Sequence, residues 1–93
     1  MTTRTVTVRI RGHVQGVWYR GWMVQEATCR GLTGWVRNRM DGSVEALLHG
    51  PVAAVDAMIA ACRRGPSAAR VDDIHLNQAA PFTEDGFSQW PTL

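Results

Sequence analysis

The chain has 93 residues, which suits one small domain and leaves no room for a second hydrophobic core. Hydrophobic residues make up 45% of it and charged residues 19%, which predicts a packed globule and excludes a disordered chain. The formal net charge of +2, carried by ten arginines and no lysine, is too small for a general nucleic-acid binder.

The first predicted element is a strand that leads into a helix. In "TVTVRIR", residues 5–11, apolar and polar side chains alternate, which predicts a half-buried strand with Val6, Val8 and Ile10 on its covered face. In "RGWMVQEATCRG", residues 20–31, apolar residues recur at three-to-four-residue spacing before a closing glycine. This pattern predicts a helix that ends at Gly31.

Two strands, a second helix and a further strand are predicted next. "GWVRN" (34–38) and "SVEALLHG" (43–50) flank the Asp-Gly turn signal in "MDG", which predicts a hairpin. Pro51 then precedes a helix that ends at "RRG". Its apolar stripe consists of Val52, Val55, Met58, Ile59 and Cys62. "ARVDDIHL" (69–76) predicts a fourth strand, and "GFSQW" (86–90) an optional short closing strand.

This order of elements defines the expected fold class. It is α+β, a ferredoxin-like split βαβ (βαββαβ) arrangement, with an antiparallel sheet of four to five strands and two helices on one face. Residues 1–93 are expected to form a single domain, and a monomer is the default for this fold and length. The order of elements alone fixes no function.

The two cysteines and the hydropathy pattern suggest a compartment. We expect Cys29 and Cys62 to be reduced and largely buried, because a secreted domain of this size usually carries several disulfides. No apolar run reaches the roughly 18 residues needed to span a membrane, and "MTTRTVTVRI" lacks a signal-peptide core. A reducing compartment, most simply the cytoplasm, and no membrane association are expected.

The stretch "GHVQGVWYR" puts an arginine where a strand turns into a helix. Gly12 and Gly16 allow backbone N–H groups to converge as in an anion-binding nest, and the positive end of the helix points into the same space. A cation in the first helical turn is unfavourable unless an anion joins it, so Arg20 is predicted to hold an anion such as phosphate. Loop composition alone leaves open a glycine-rich turn whose arginine pairs with a carboxylate.

Together, "GHVQGVWYR" and "GWVRNRMDGSVEALLHG" resemble the two signatures of the acylphosphatase family. The first signature is matched at Gly12, Val14, Gln15, Gly16, Val17, Tyr19 and Arg20. The second is matched at Gly34, Trp35, Val36, Asn38, Gly42, Val44 and Gly50. The likeness is clear over residues 6–76, while the tail "GFSQWPTL" matches more loosely. Family members have the ferredoxin-like fold.

The resemblance implies an enzyme that hydrolyses the carboxyl–phosphate bond of small acyl phosphates to a carboxylate and inorganic phosphate. The resemblance implies that Arg20 binds the phosphoryl group and that Asn38 positions the attacking water. The rest of the substrate site is expected in the loop, at His13, Val14, Gln15, Gly16, Val17, Trp18 and Tyr19. Inorganic phosphate is expected to bind as product or inhibitor.

This chemistry asks for no metal and no general acid. The carboxylate is already a weakly basic leaving group, and phosphoryl transfer mostly needs positioning and charge stabilisation. The cysteines and histidines form no metal-site pattern, so we expect no metal and no other cofactor. His13 is interpreted as a rim side chain and not as a general base.

Two alternatives stay open. RNA-recognition modules share this scaffold but use exposed aromatic residues on central strands, which residues 5–11 and 43–50 lack, so nucleic acid is not an expected partner. A family member could also keep anion binding without hydrolysis. In larger proteins such a domain is followed by zinc-binding cysteine pairs, and their absence favours a free-standing enzyme. Of the tryptophans, Trp22 and Trp35 are expected in the core and Trp18 at the mouth of the loop.

Overall fold

The computed structural model of the chain describes residues 2–93. Its elements in chain order are β1 (Thr3–His13), α1 (Tyr19–Cys29), β2 (Thr33–Asn38), β3 (Val44–Pro51), α2 (Val52–Cys62), β4 (Arg70–Gln78) and β5 (Phe87–Gln89). The predicted order is confirmed, including the optional closing strand.

The five strands form one sheet in the order β4-β1-β3-β2-β5. The β1–β4, β1–β3 and β2–β3 pairs are antiparallel, as expected for the split βαβ arrangement. In contrast, β5 lies parallel to β2, with Gly34 opposite Phe87. The chain crosses from the β4 edge to the opposite edge before β5 begins. It then runs opposite to β4, which is the direction of β2. The sheet is therefore mixed, and the antiparallel prediction holds for its first four strands.

The core lies between the sheet and the two helices. Val6, Val8 and Ile10 of β1 are completely covered, as are the alternate residues Val44, Ala46 and Leu48 of β3. They join one cluster with Met23 and Ala27 of α1 and with Val55, Met58, Ile59 and Cys62 of α2. Because both helices contribute to the cluster on this one face, the predicted layering is confirmed. Burying each large apolar side chain contributes about 1.5–3 kcal/mol to the stability of the fold.

Trp35 is buried on the opposite face of the sheet, which corrects the expectation that it joins the core. Its neighbour Val36 points to the helices, and successive strand residues point to opposite faces. The indole is covered by Trp90, with ring centroids 4.6 Å apart and planes 10° apart, and the Arg37 guanidinium lies 4.7 Å from its centroid. Trp22 is half-buried and packs against the core, as predicted.

Both cysteines close helices and are free thiols. Cys62 is buried, and this burial raises the pKa of its thiol to about 12. Cys29 is exposed, so the expectation of two buried thiols is wrong for this residue: it lies at the solvent-facing end of α1. Within residues 2–93, no helix is both long enough and apolar enough to cross a membrane.

Candidate active site

A pocket of about 170 Å³ lies where the loop between β1 and α1 meets the end of β2. It is lined by Val14, Gly16, Trp18, Tyr19, Arg20, Gly21, Asn38 and Gln89. Arg20 and Asn38, which come from the two separate sequence motifs, therefore lie on the same pocket. Arg20 is the charged residue of this lining, so the pocket carries a positive formal charge.

Arg20 is the second residue of α1 and is half-buried. Across residues 2–93, seven of the ten arginines pair with a carboxylate, and Arg20 is not among them. The first turn of α1 has no acidic residue, and Trp18 at the N-cap makes no side-chain capping hydrogen bond. The alternative of an arginine paired with a carboxylate therefore finds no partner in the described part of the chain. A guanidinium and the positive end of a helix dipole face the same space, which favours an anion there.

The loop before α1 reaches the helix through left-handed backbone. Gly16 has φ 75°, and a Cβ added to it would meet open space. Trp18 has φ 67°, a conformation that costs a residue with a side chain about 1–2 kcal/mol. Left-handed residues in short loops are a component of anion-binding nests. Gly12, by contrast, belongs to β1, where a Cβ would come within 2.2 Å of the Arg70 carbonyl oxygen. A glycine at this position therefore allows β1 to pair closely with β4.

Asn38 is held at the end of β2 by backbone pairing. It lies opposite Val44 of β3, and its carbonyl oxygen accepts a hydrogen bond of 3.1 Å from the Leu93 N–H group. Being two residues from the buried Val36, it shares the helix-facing side of the sheet. The alternation of β2 thus aims this side chain at the start of α1.

Three of the predicted substrate-binding residues are not part of the pocket lining. His13 is exposed at the end of β1, opposite Arg70 of β4. Val17 packs against the hydrophobic core. The amide nitrogen of Gln15 turns to the β2–β3 hairpin and donates to the carbonyl oxygens of Arg39 and Ser43, at 2.8 and 2.9 Å. The side chain of Gln15 therefore ties the loop to the hairpin that follows Asn38.

Tyr19 anchors the start of α1. Its ring is buried, and its hydroxyl donates a hydrogen bond to the carbonyl oxygen of Cys62 at the end of α2. Burial, followed by the interaction with Cys62, raises the pKa of this hydroxyl far above its ordinary value. Tyr19 therefore stays protonated and holds the backbone beside Arg20 in place.

Two residues of the lining, Gly21 and Gln89, were not predicted. Gly21 is a glycine inside a helix, a signal that usually marks close packing. A Cβ there would come within 2.1 Å of the Trp18 indole nitrogen. Gln89 reaches the pocket because β5 lies beside β2, with Gln89 opposite Val36. No spacing in the sequence indicates that pairing. Among residues 2–93, no three His, Cys, Asp or Glu side chains lie together as a metal-ligand set requires.

These features define a class of protein: a small ferredoxin-like α+β domain with a cationic pocket between a strand–helix loop and a central hairpin. Comparison with known proteins identifies the family. The model of the acylphosphatase family matches residues 6–89. An acylphosphatase of Rhodospirillum rubrum is 61% identical over 90 residues, which cover 97% of this chain and 99% of the relative. The chain therefore belongs to the acylphosphatase family, and the enzyme class predicted from the two motifs is confirmed.

Solved structures agree with this assignment. The crystal structure of acylphosphatase from Bacillus subtilis superimposes with a TM-score of 0.90 at 33% identity, covering 96% of this chain and 99% of that one. An acylphosphatase from Coxiella burnetii gives a TM-score of 0.91 at 26% identity, covering 95% of this chain and 93% of that one. The predicted fold class is thereby confirmed.

Proposed function

We propose that the chain hydrolyses acyl phosphates, with Arg20 and the neighbouring loop amides binding the phosphoryl group and Asn38 orienting the attacking water. The observation that carries this proposal is the half-buried Arg20, without a carboxylate partner in residues 2–93, on one pocket with Asn38. A planar guanidinium donates to two phosphoryl oxygens at once, and so fixes both charge and orientation. The family assignment supports the same reaction.

In the proposed reaction, the water oxygen forms a bond to phosphorus while the bond between phosphorus and the carboxyl oxygen breaks. The electron pair of that bond leaves on the carboxylate, which needs no protonation at neutral pH because carboxylic acids are strong enough acids. The water proton passes to a phosphoryl oxygen. Asn38 is no base at neutral pH, but its amide both accepts and donates hydrogen bonds and so can align the water.

The charge balance explains why we propose the reaction without a metal. Phosphoryl transfer proceeds through a loose transition state whose charge is spread over the equatorial oxygens. In the proposed complex, Arg20, the loop amides and the positive end of α1 surround that charge and stabilise it. Arg20, Asn38 and the loop between β1 and α1 belong to one chain and supply every group that the proposed reaction uses, so we propose that the monomer is the active unit. Inorganic phosphate, which has the same charged oxygens, is expected to compete with the substrate.

The test is hydrolysis of benzoyl phosphate by the purified chain in excess chelator, beside Arg20→Ala and Asn38→Ala. Loss of one preorganised donor costs about 3 kcal/mol, so Arg20→Ala is expected to reduce kcat/KM by roughly 10²–10³-fold. Matched controls are Arg64→Ala, an exposed arginine beyond α2, and Asn77→Ala, an exposed asparagine on β4. Both controls should retain the activity of the parent.

Other outcomes contradict parts of the proposal. Activity that survives both pocket substitutions would show that the site is wrong, and activity abolished by the chelator would show that a metal takes part. A folded parent that binds phosphate and hydrolyses nothing would leave an anion-binding domain. An Asn38→Asp variant with undiminished activity and the pH profile of a general base would contradict proton transfer to the phosphoryl oxygen.

A further inference from the structure

Trp18 combines two features that are unfavourable in a small domain. Three large hydrophobic side chains of residues 2–93 are exposed, and Trp18 at 58% is the one that lines the pocket. It is also the residue with a side chain whose φ is positive, at 67°, among the described residues. A glycine would adopt this backbone without strain and would expose no apolar surface. A tryptophan here therefore calls for a reason other than folding.

The indole of Trp18 is seated on the helix that begins beneath it. A Cβ built on Gly21 would lie 2.1 Å from the indole nitrogen Nε1 and 2.7 Å from Cδ1. The nitrogen side of the ring thus rests directly against the Gly21 backbone, which only a glycine allows. The Trp18 carbonyl oxygen also accepts a hydrogen bond of 3.0 Å from the Trp22 N–H group. Backbone and ring are both fixed, so the indole is a defined wall of the pocket.

The pocket is larger than the phosphoryl group that it is proposed to bind. Its volume of about 170 Å³ is roughly that of five or six liquid water molecules, whereas a phosphoryl group has four heavy atoms. Arg20 is half-buried and Trp18 is exposed, so the indole stands nearer to solvent. If Arg20 holds the phosphoryl group of a substrate at the inner end of the pocket, the space left for the acyl half lies beside this outer wall.

We propose that Trp18 binds the acyl group of the substrate, and that the site favours acyl phosphates with a flat, apolar acyl group such as an aryl ring over small ones such as acetyl phosphate. This inference rests on the proposed hydrolysis of acyl phosphates. An indole attracts aromatic groups beyond the area that they bury, through offset or edge-to-face contact. An acetyl group has no ring to place against it. Trp18 then determines specificity, while Arg20 and Asn38 carry out the reaction common to all substrates.

The test measures kcat/KM for benzoyl phosphate and for acetyl phosphate in the parent, Trp18→Gly and Trp18→Phe. The ratio of the two values is expected to fall about tenfold in Trp18→Gly, and to fall less in Trp18→Phe, which keeps an aromatic ring. Gly21→Ala should also lower the ratio, because the added methyl group displaces the indole. Met40→Ala is the matched control: Met40 is 87% exposed and lies outside the pocket lining, so the ratio should stay at the parental value.

Thermal unfolding of each variant separates binding from folding. Because relief of the left-handed strain offsets the lost contact of the indole with Gly21, Trp18→Gly should be close to the parent in stability while its substrate ratio falls. A ratio that stays unchanged in Trp18→Gly and Gly21→Ala would overturn this inference, as would an equal loss for both substrates. A parent that hydrolyses neither substrate would overturn the proposed function itself, so the two failures are distinguishable.

Discussion

Replacing Gln15 with alanine removes both hydrogen bonds that join the loop before α1 to the β2–β3 hairpin. Neither acceptor is left without a donor. The Arg39 carbonyl oxygen also accepts from the Gly42 N–H group at 3.1 Å, and the Ser43 carbonyl oxygen from the Arg39 N–H group at 2.8 Å. Each lost bond is therefore worth the lower end of the usual net value, about 0.5–1 kcal/mol. The expected destabilisation is about 1–2 kcal/mol, or roughly 5–15 °C in Tm for a domain of this length.

Gln15→Glu sharpens the prediction, because a carboxylate has no N–H group to offer the two carbonyl oxygens. Their repulsion raises the folded-state pKa of the introduced carboxyl group above its unfolded value. A group with a raised folded-state pKa is accommodated while protonated, so the stability deficit is smallest near pH 4 and grows as the pH rises through the folded-state pKa. Thermal unfolding of the parent and the two variants between pH 4 and 8 measures this dependence.

Gln25 supplies the control, since it is an exposed glutamine on the solvent side of α1. Gln25→Ala and Gln25→Glu should stay within about 0.5 kcal/mol of the parent, as surface substitutions usually do. The reasoning about Gln15 is refuted if Gln15→Ala is as stable as the parent. It is also refuted by a deficit in Gln15→Glu that is constant, or that shrinks, as the pH rises.

Three further outcomes are expected elsewhere in the molecule. Gly34→Ala should destabilise the fold by about 3 kcal/mol or more, measured by denaturant unfolding, because its Cβ would lie 1.8 Å from a carbonyl oxygen of β3. Gly31→Ala, at a φ of 71° but with open space around the Cβ, should cost only about 1 kcal/mol. Hydrogen bonds from a neighbouring serine lower the pKa of Asp41 to about 2, so its stabilisation is complete above the ordinary carboxyl pKa and lost as the pH falls toward 2. The stability difference between the parent and Asp41→Asn should therefore be constant above pH 5 and shrink below pH 4; a difference that grows there contradicts the assignment. A thiol reagent at pH 8 should label one cysteine of the native chain and two in denaturant, and native Cys29→Ser should not be labelled, because burial protects Cys62.

Local patterns were enough to predict most of the fold. The alternation at Val6, Val8 and Ile10 fixed the buried face of β1, since a strand has only two faces and one carried all the apolar residues. The direction of β5 could not be predicted in the same way. A strand of three residues carries little signal, and its pairing with β2 depends on the path of the whole loop after β4. Trp35 was expected in the core, although its alternation with Val36 along β2 puts it on the opposite face of the sheet.

The site was only partly accessible from the sequence. Arg20 was predicted from its place at the start of a helix after a glycine-containing loop, and Asn38 from the resemblance of the second motif to a family signature; both line the pocket. The side-chain contacts of Gln15 with the hairpin were not predicted, since a loop side chain can turn either way and the Arg39 carbonyl oxygen is within its reach only in three dimensions. The Trp18 indole packs against the backbone of Gly21, and this contact could not be predicted from the residue types alone.

The glycines of the two signatures show how little of each motif is devoted to chemistry. A Cβ at Gly12 or Gly34 would lie within 2.2 Å of a carbonyl oxygen on the adjoining strand, and one at Gly50 would lie 2.6 Å from Leu32 Cδ2. These residues are required by strand and side-chain packing, whereas Gly16 is the signature glycine that lines the pocket. A chain that had lost hydrolysis would still need most of both motifs in order to fold. The proposed catalytic roles therefore depend on the two side chains that the packing does not require, Arg20 and Asn38, and substitution of those two is the decisive experiment.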